Sequence, residues 1–150
     1  MERTKIVVDA SVAVKWFVEE EFSDLALKLR DMHVNGLVDL VAPSLMPYEV
    51  LNALKYSKAF TRDEMKIMAQ AFDDLQIRIF DLSGDFAIKS IEIVMEKDIT
   101  VYDASYVALA VTLNAIMYTA DEKLLNRVKD FNCVKYIKEL REALDAFPTQ

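Results

Sequence analysis

Four acidic residues close or interrupt apolar runs: Asp9 in KIVVDASVAVKWF, Glu49 in PSLMPYEVLNAL, Asp103 in DITVYDASYVALAV and Asp121 in IMYTADEKLL. Carboxylates are seldom buried unless they are paired or hold a metal. Four of them at the ends of hydrophobic elements therefore predict an acidic cluster, an all-oxygen donor set for a hard divalent cation. Mg²⁺ or Mn²⁺ fits that set, and because Mg²⁺ is usually held by one or two carboxylates plus water, four acids can serve one ion or two. Such a cation activates water for hydrolysis and stabilises charge developing on a phosphodiester. Zinc is disfavoured, since His33 and Cys133 are the only residues of their types and stand far outside any zinc-ligand spacing. The same scarcity argues against a histidine acid–base nuclease and against a Ser or Cys triad.

Each acid also has a plainer role open to it. Asp9 can occupy a strand-to-helix turn, Glu49 can complement a helix N-terminus after Pro47, Asp103 completes a Thr100-x-x-Asp103 capping pattern, and Asp121 can cap a helix. Taken together, these roles must explain four coincidences. Ser11 and Thr119 are hydroxyls two residues from Asp9 and Asp121, open to capping or turn roles as well. Trp16, Phe17, Tyr102 and Tyr106 read as core or cleft-wall residues, and His33 as an exposed helix residue.

The elements that must position these acids alternate between strand and helix. Lys5 to Asp9 reads as a buried Ile/Val strand, and Ser11 as the cap of a helix through Val14, Trp16 and Phe17. A helix over Leu25, Leu29 and Met32 ends near Gly36, followed by a strand over 37–42 and a helix from Pro43-Ser44 carrying Glu49 and Asn52 on one face. Thr61-Arg-Asp-Glu64 is a capping box for an amphipathic helix through Phe72. Strands over 77–80, 116–119 and 134–137 alternate with helices from Ser83 or Asp85, from Thr100, from Asp121 and over 138–147. This alternation predicts an α/β sandwich around a mostly parallel sheet, whose ligands collect outside the carboxyl ends of the strands. Asp9 and Asp121 then lie at one edge, and the helix starts bearing Glu49 and Asp103 face it too.

Length and composition fit one domain over residues 1–150: the chain is 53% hydrophobic, with only two Gly and three Pro, so linkers and low-complexity tails are not expected. The N-terminal run lacks a signal-peptide layout, because Asp9 and Lys15 interrupt it, and the apolar stretch 104–118 is too short and too polar for a membrane span. A soluble, cytoplasmic protein is expected, with the lone Cys133 a small buried side chain in a reducing compartment. The net charge of −7 argues against coating nucleic acid through a broad basic surface. It does not argue against a nuclease, since cations bound at the acids invert the local field. Lys15, Lys55, Lys58 and Arg62 are candidates to line a phosphate path.

The blocks VVDASVAVKWF, APSLMPYEVLNAL, TVYDASYVALA and YTADEKLL resemble, in order and spacing, the PIN-domain ribonucleases, and most of all the VapC-type toxins of prokaryotic toxin–antitoxin pairs. The resemblance runs from Lys5 to about Ile137. It implies a three-layer α/β/α sandwich with a five-stranded sheet and a metal-dependent endoribonuclease site. Carried over, the metal-site acids are Asp9, Glu49, Asp103 and Asp121, the accessory hydroxyls Ser11 and Thr119, and the polar residue one turn after the Glu is Asn52. An RNA substrate, an antitoxin protein and a two-fold homodimer are implied as partners, with the helical region 44–75 as the dimer surface. An RNA-processing nuclease outside any toxin pair would share the same four acids. A receiver-like phosphoaspartate domain is disfavoured by the absence of a Lys at Thr119-Ala120-Asp121. A non-catalytic interaction module would use the Met-rich segment 65–72 as an adaptable face.

Overall fold

The computed structural model describes residues 2–146. Strands β1 (Thr4–Val8), β2 (Val38–Pro43), β3 (Arg78–Phe80), β4 (Ile116–Thr119) and β5 (Val134–Tyr136) form one sheet in the order β3-β2-β1-β4-β5. Every pairing is parallel, so the sheet is wholly rather than mostly parallel. Helices cover both faces: α1 (Ala10–Ala13), α2 (Ser23–Val34), α3 (Met46–Tyr56), α4 (Arg62–Asp74), α5 (Gly84–Lys97), α6 (Val101–Leu113), α7 (Glu122–Arg127) and α8 (Leu140–Ala143). The sandwich of the sequence reading is the observed architecture.

Burial follows from residue type. Ile6, Val7 and Val8 of the central strand are essentially inaccessible, as are Leu40, Val41 and Ala42 beside them. That is what a parallel strand covered on both faces requires. Residues 104–110 of α6 are buried all round, which is why this helix shows no amphipathic stripe in the sequence. Among the described residues no helix is long and apolar enough to cross a membrane.

Local signals decide the element ends. Gly36 takes φ +76° after α2, and Leu37 N–H reaches back to the Met32 carbonyl at 2.8 Å. The left-handed turn there costs glycine no Cβ clash. The Thr61–Glu64 capping box forms in both directions, and Thr100 accepts from Asp103 N–H at 3.1 Å. The first helix departs from expectation. Asp9, not Ser11, is its N-cap, and α1 runs only one turn before tightening into a 3-10 turn over Val14–Trp16. The C-terminal segment is broken too: 3-10 turns over Ile137–Glu139 and Leu144–Ala146 flank α8, and Phe147 lies outside the described residues.

His33 corrects another expectation. It is half-buried, accepting from Leu40 N–H at Nδ1 (3.0 Å) while Nε2 lies 2.7 Å from the Leu75 carbonyl. Because Leu40 donates to Nδ1, the proton belongs on Nε2, and the neutral ring bridges β2 to the end of α4. His33→Ala leaves the Leu40 N–H without its partner. A loss of about 1–2 kcal/mol of stability is expected, read as a lower urea midpoint with an unchanged m-value.

Candidate active site

The chain adds strands outward from β1 in one direction through β2 and β3, then returns to the other side of β1 for β4 and β5. The crevice between the carboxyl ends of β1 and β4 is therefore the topological switch point, where open α/β sheets bind ligands. Asp9 follows β1 and Asp121 lies just beyond β4, so both enter this crevice. The β2–α3 connection places Glu49 in the first turn of α3, and Asp103 stands in the first turn of α6.

Asp9 is 5% exposed and fully engaged. Ser11 Oγ donates to its Oδ1, Thr119 Oγ1 donates to its Oδ2 at 2.5 Å, and Val12 N–H donates to Oδ1 at 3.3 Å. The two hydroxyls are themselves oriented by backbone donors: Ala120 N–H to Ser11 Oγ at 2.9 Å, and Asp121 N–H to Thr119 Oγ1 at 3.0 Å. Each hydroxyl spends its acceptor side on the β4–α7 turn and its proton on Asp9. Burial nevertheless dominates and raises the Asp9 carboxyl to about 6, against the hydrogen bonds from Ser11, Thr119 and Val12 and with a small addition from the charge of Asp121.

Glu49 and Asp103 share this electrostatic tension. Burial is the main cause that raises Glu49, with the charge of Asp103 adding to it and a hydrogen bond from Tyr106 opposing it. Asp103 is raised by burial and then by the charge of Asp121. Tyr106 was absent from the sequence-based site. Its hydroxyl donates to Glu49 Oε1 at 2.5 Å, and burial keeps the phenol protonated far above its ordinary range. The only sequence signal for it is its place one helical turn after Asp103.

Asp121 does cap α7: its Oδ1 accepts from Lys123 N–H at 3.0 Å and Leu124 N–H at 3.1 Å. Among the described residues its Oδ2 takes part in no hydrogen bond and stays available to a ligand. Asp103 and Asp121 line a cleft of about 480 Å³ that also holds Thr100, Lys123 and Arg127. Asn52 is exposed and lies instead in the neighbouring groove between α3 and α4, with Lys55 and Arg62. Lys15 is not available to a phosphate path, being buried and paired with Glu20 at 3.2 Å. Trp16 and Tyr106 are core residues as expected, whereas Tyr102 is 60% exposed.

The model for the PIN domain matches residues 6–130, which spans β1 to the turn after α7 and all seven sequence-predicted site positions. The chain belongs to the PIN domain family. Solved structures share the fold. The protein PAE2754 from Pyrobaculum aerophilum aligns with a TM-score of 0.67 at 20% identity, over 96% of this chain and 98% of that one. A toxin–antitoxin complex from Klebsiella pneumoniae aligns at 0.60 and 16% identity, over 88% and 97%. The Mycobacterium tuberculosis toxin VapC20, described as cleaving the sarcin-ricin loop, aligns at 0.60 and 14% identity, over 82% and 95%. No curated protein matches the chain by sequence.

Among the described residues of this PIN domain, no three His, Cys, Asp or Glu side chains converge as a ready-made metal cage. Both oxygens of Asp9 are taken by hydroxyls, one of Asp121 by backbone and one of Glu49 by Tyr106. The donor set is nonetheless all oxygen, desolvated and mutually repelling, which fits an ion held by one or two carboxylates with the rest of its shell water.

Proposed function

We propose that this PIN domain is a Mg²⁺- or Mn²⁺-dependent endoribonuclease acting as the toxin of a toxin–antitoxin pair, with Asp9, Glu49, Asp103 and Asp121 as its metal-site acids. The observation that carries the reading is Asp9: an ionisable carboxyl buried at the switch point, oriented by two hydroxyls and raised toward neutrality, beside a cleft bordered by Asp103 and Asp121. Perturbed carboxyls in a crevice mark functional sites more often than structural ones. The bound ion would supply an activated water and charge stabilisation at the phosphate. The chain's own part is to hold the acids in place and aimed. Ser11 and Thr119 fix the Asp9 plane, Tyr106 fixes Glu49, and the α7 N-terminus engages only one Asp121 oxygen.

The toxin role draws on the fold shared with VapC20 and with the Klebsiella complex, and an antitoxin protein is the partner it implies. Exposed Tyr48, Tyr56 and Ile67 on α3 and α4 support the region 44–75 as a homodimer surface. Within the Met-rich segment of the interaction-module alternative, Met68 and Phe72 are buried, with Phe72 packed against Trp16 at 6.1 Å between ring centroids, whereas Ile67 is exposed.

Cleavage of a mixed RNA pool is the direct test. Fragments are expected with Mg²⁺ or Mn²⁺ and none with EDTA, with recovery when the ion is restored. Cleavage that persists unchanged in EDTA would sink the metal reading, and no cleavage under any condition would sink the nuclease reading.

A further inference from the structure

The cleft beside Asp103 and Asp121 has a second wall that the proposed hydrolysis does not use. Lys123 and Arg127 line it from α7, one helical turn apart, beside buried Leu124, which lines the same cleft. Three carboxylates border the same cleft: Asp98, Asp103 and Asp121. Among the described residues, neither cation forms an ion pair within 4.0 Å with any of them, although six other basic residues of this acidic chain do pair. The charges are held apart across about 480 Å³ rather than neutralised. One wall of the cleft suits a cation, and the other an anion.

We infer that Lys123 and Arg127 are substrate-positioning residues that grip the backbone phosphates of the RNA strand on the α7 side of the acids. This rests on the nuclease reading above. An RNA phosphate beside a metal-loaded acidic site is the ligand that matches both walls at once. The Arg127 guanidinium offers a planar fork for two phosphate oxygens, and Lys123 adds a point charge. The α3–α4 groove is a weaker candidate for this role. Its floor is Leu51, Met65 and Ala69, and none of the four acids enters it, so its cations stand away from the reacting phosphate.

The test uses the full chain with Asp9→Asn to block cleavage, in Mg²⁺, binding a short fluorescein-labelled single-stranded RNA by anisotropy across a salt series. Adding Lys123→Gln and Arg127→Gln is expected to weaken binding about tenfold near physiological salt and to reduce the salt slope by roughly 1.4, the loss of two phosphate contacts. Lys28→Gln, at an exposed position of α2, leaves both unchanged. With Asp9 restored, the double substitution should raise KM by a similar factor and leave kcat within about twofold, because the grip acts on ground and transition states alike. Unchanged affinity and slope overturn the inference while the nuclease reading stands. So does tighter Mg²⁺ binding with no change in salt slope, which would make the pair mere counter-charges to the acids. If the parent binds no RNA and the unmutated chain cuts none, both readings fall together.

Discussion

Asp9→Asn is expected to lower RNA cleavage on the order of a thousandfold while making the metal-free protein more stable at neutral pH. The loss follows from removing the most buried charge of the proposed metal site without changing its shape. The gain follows from the same burial. An unfolded Asp releases its proton near 3.8, whereas folded Asp9 holds it until about 6. Below 3.8 both states are protonated, and the native carboxyl costs nothing extra. As pH rises through the window from 3.8 to 6, the unfolded chain ionises first, and native stability declines by about 3 kcal/mol before levelling off. Asn carries no such titration. Denaturant melts in EDTA should therefore show the variant's advantage growing across that window and staying constant above it. Added Mg²⁺ should stabilise the unmutated chain more than the variant, which keeps only three of the four acids, because a ligand stabilises the state that binds it. Equal melts at pH 4 and pH 7.5 would contradict the account. Cleavage by the unmutated chain should rise around pH 6, where the folded Asp9 carboxyl ionises.

Thr119→Val is expected to be among the costlier single substitutions of a polar residue in this chain. Valine preserves the β-branched shape in β4, so the packing survives and the loss is electrostatic. The side chain is inaccessible, and its hydroxyl both donates to Asp9 Oδ2 and accepts from Asp121 N–H. Removing it deletes a hydrogen bond to a charged group, worth about 1.5–3 kcal/mol, and leaves a backbone donor without its partner. A loss of roughly 3–4 kcal/mol is expected at neutral pH. Thr119→Ser retains the hydroxyl and should recover most of it. The Val variant should also push the Asp9 carboxyl higher, moving the pH at which cleavage appears upward. A Val variant as stable as its parent, with an unmoved pH profile, would show that Thr119 only fills space.

The sequence pattern located the acids because each interrupts a run whose burial is dictated by neighbouring aliphatics, and the parallel sheet followed from the unalternating Ile6–Val8 and Leu40–Ala42 segments. Interactions between elements distant in sequence were not legible. Ser11 reads as a cap because hydroxyls usually are, yet the capping oxygen is that of Asp9, while Ser11 answers to Ala120, 109 residues away. His33 looks like one more polar helix position until β2 and α4 close on its ring. Tyr106 passes for a core aromatic, since its hydroxyl contact with Glu49 spans 57 residues. Lys15 reads as a candidate for a phosphate path because nothing in its neighbourhood announces that its stem is buried beside Glu20. Periodicity reports which face of an element is covered; it cannot report by what.

The pairing of β1 with β4, Ile6 against Ile116 through Val8 against Tyr118, also sets when the proposed site can assemble during synthesis. Asp9 leaves the ribosome early, but Thr119, which orients it, and Asp121, which shares its crevice, follow more than a hundred residues later. Closing so long a loop must precede any reward from the contacts it brings together. A nascent or prematurely released chain lacking β4 therefore carries the first three acids in a half-built sheet with no assembled crevice. Under the proposed activity, translation must pass β4 and Asp121 before any RNA near the ribosome is at risk.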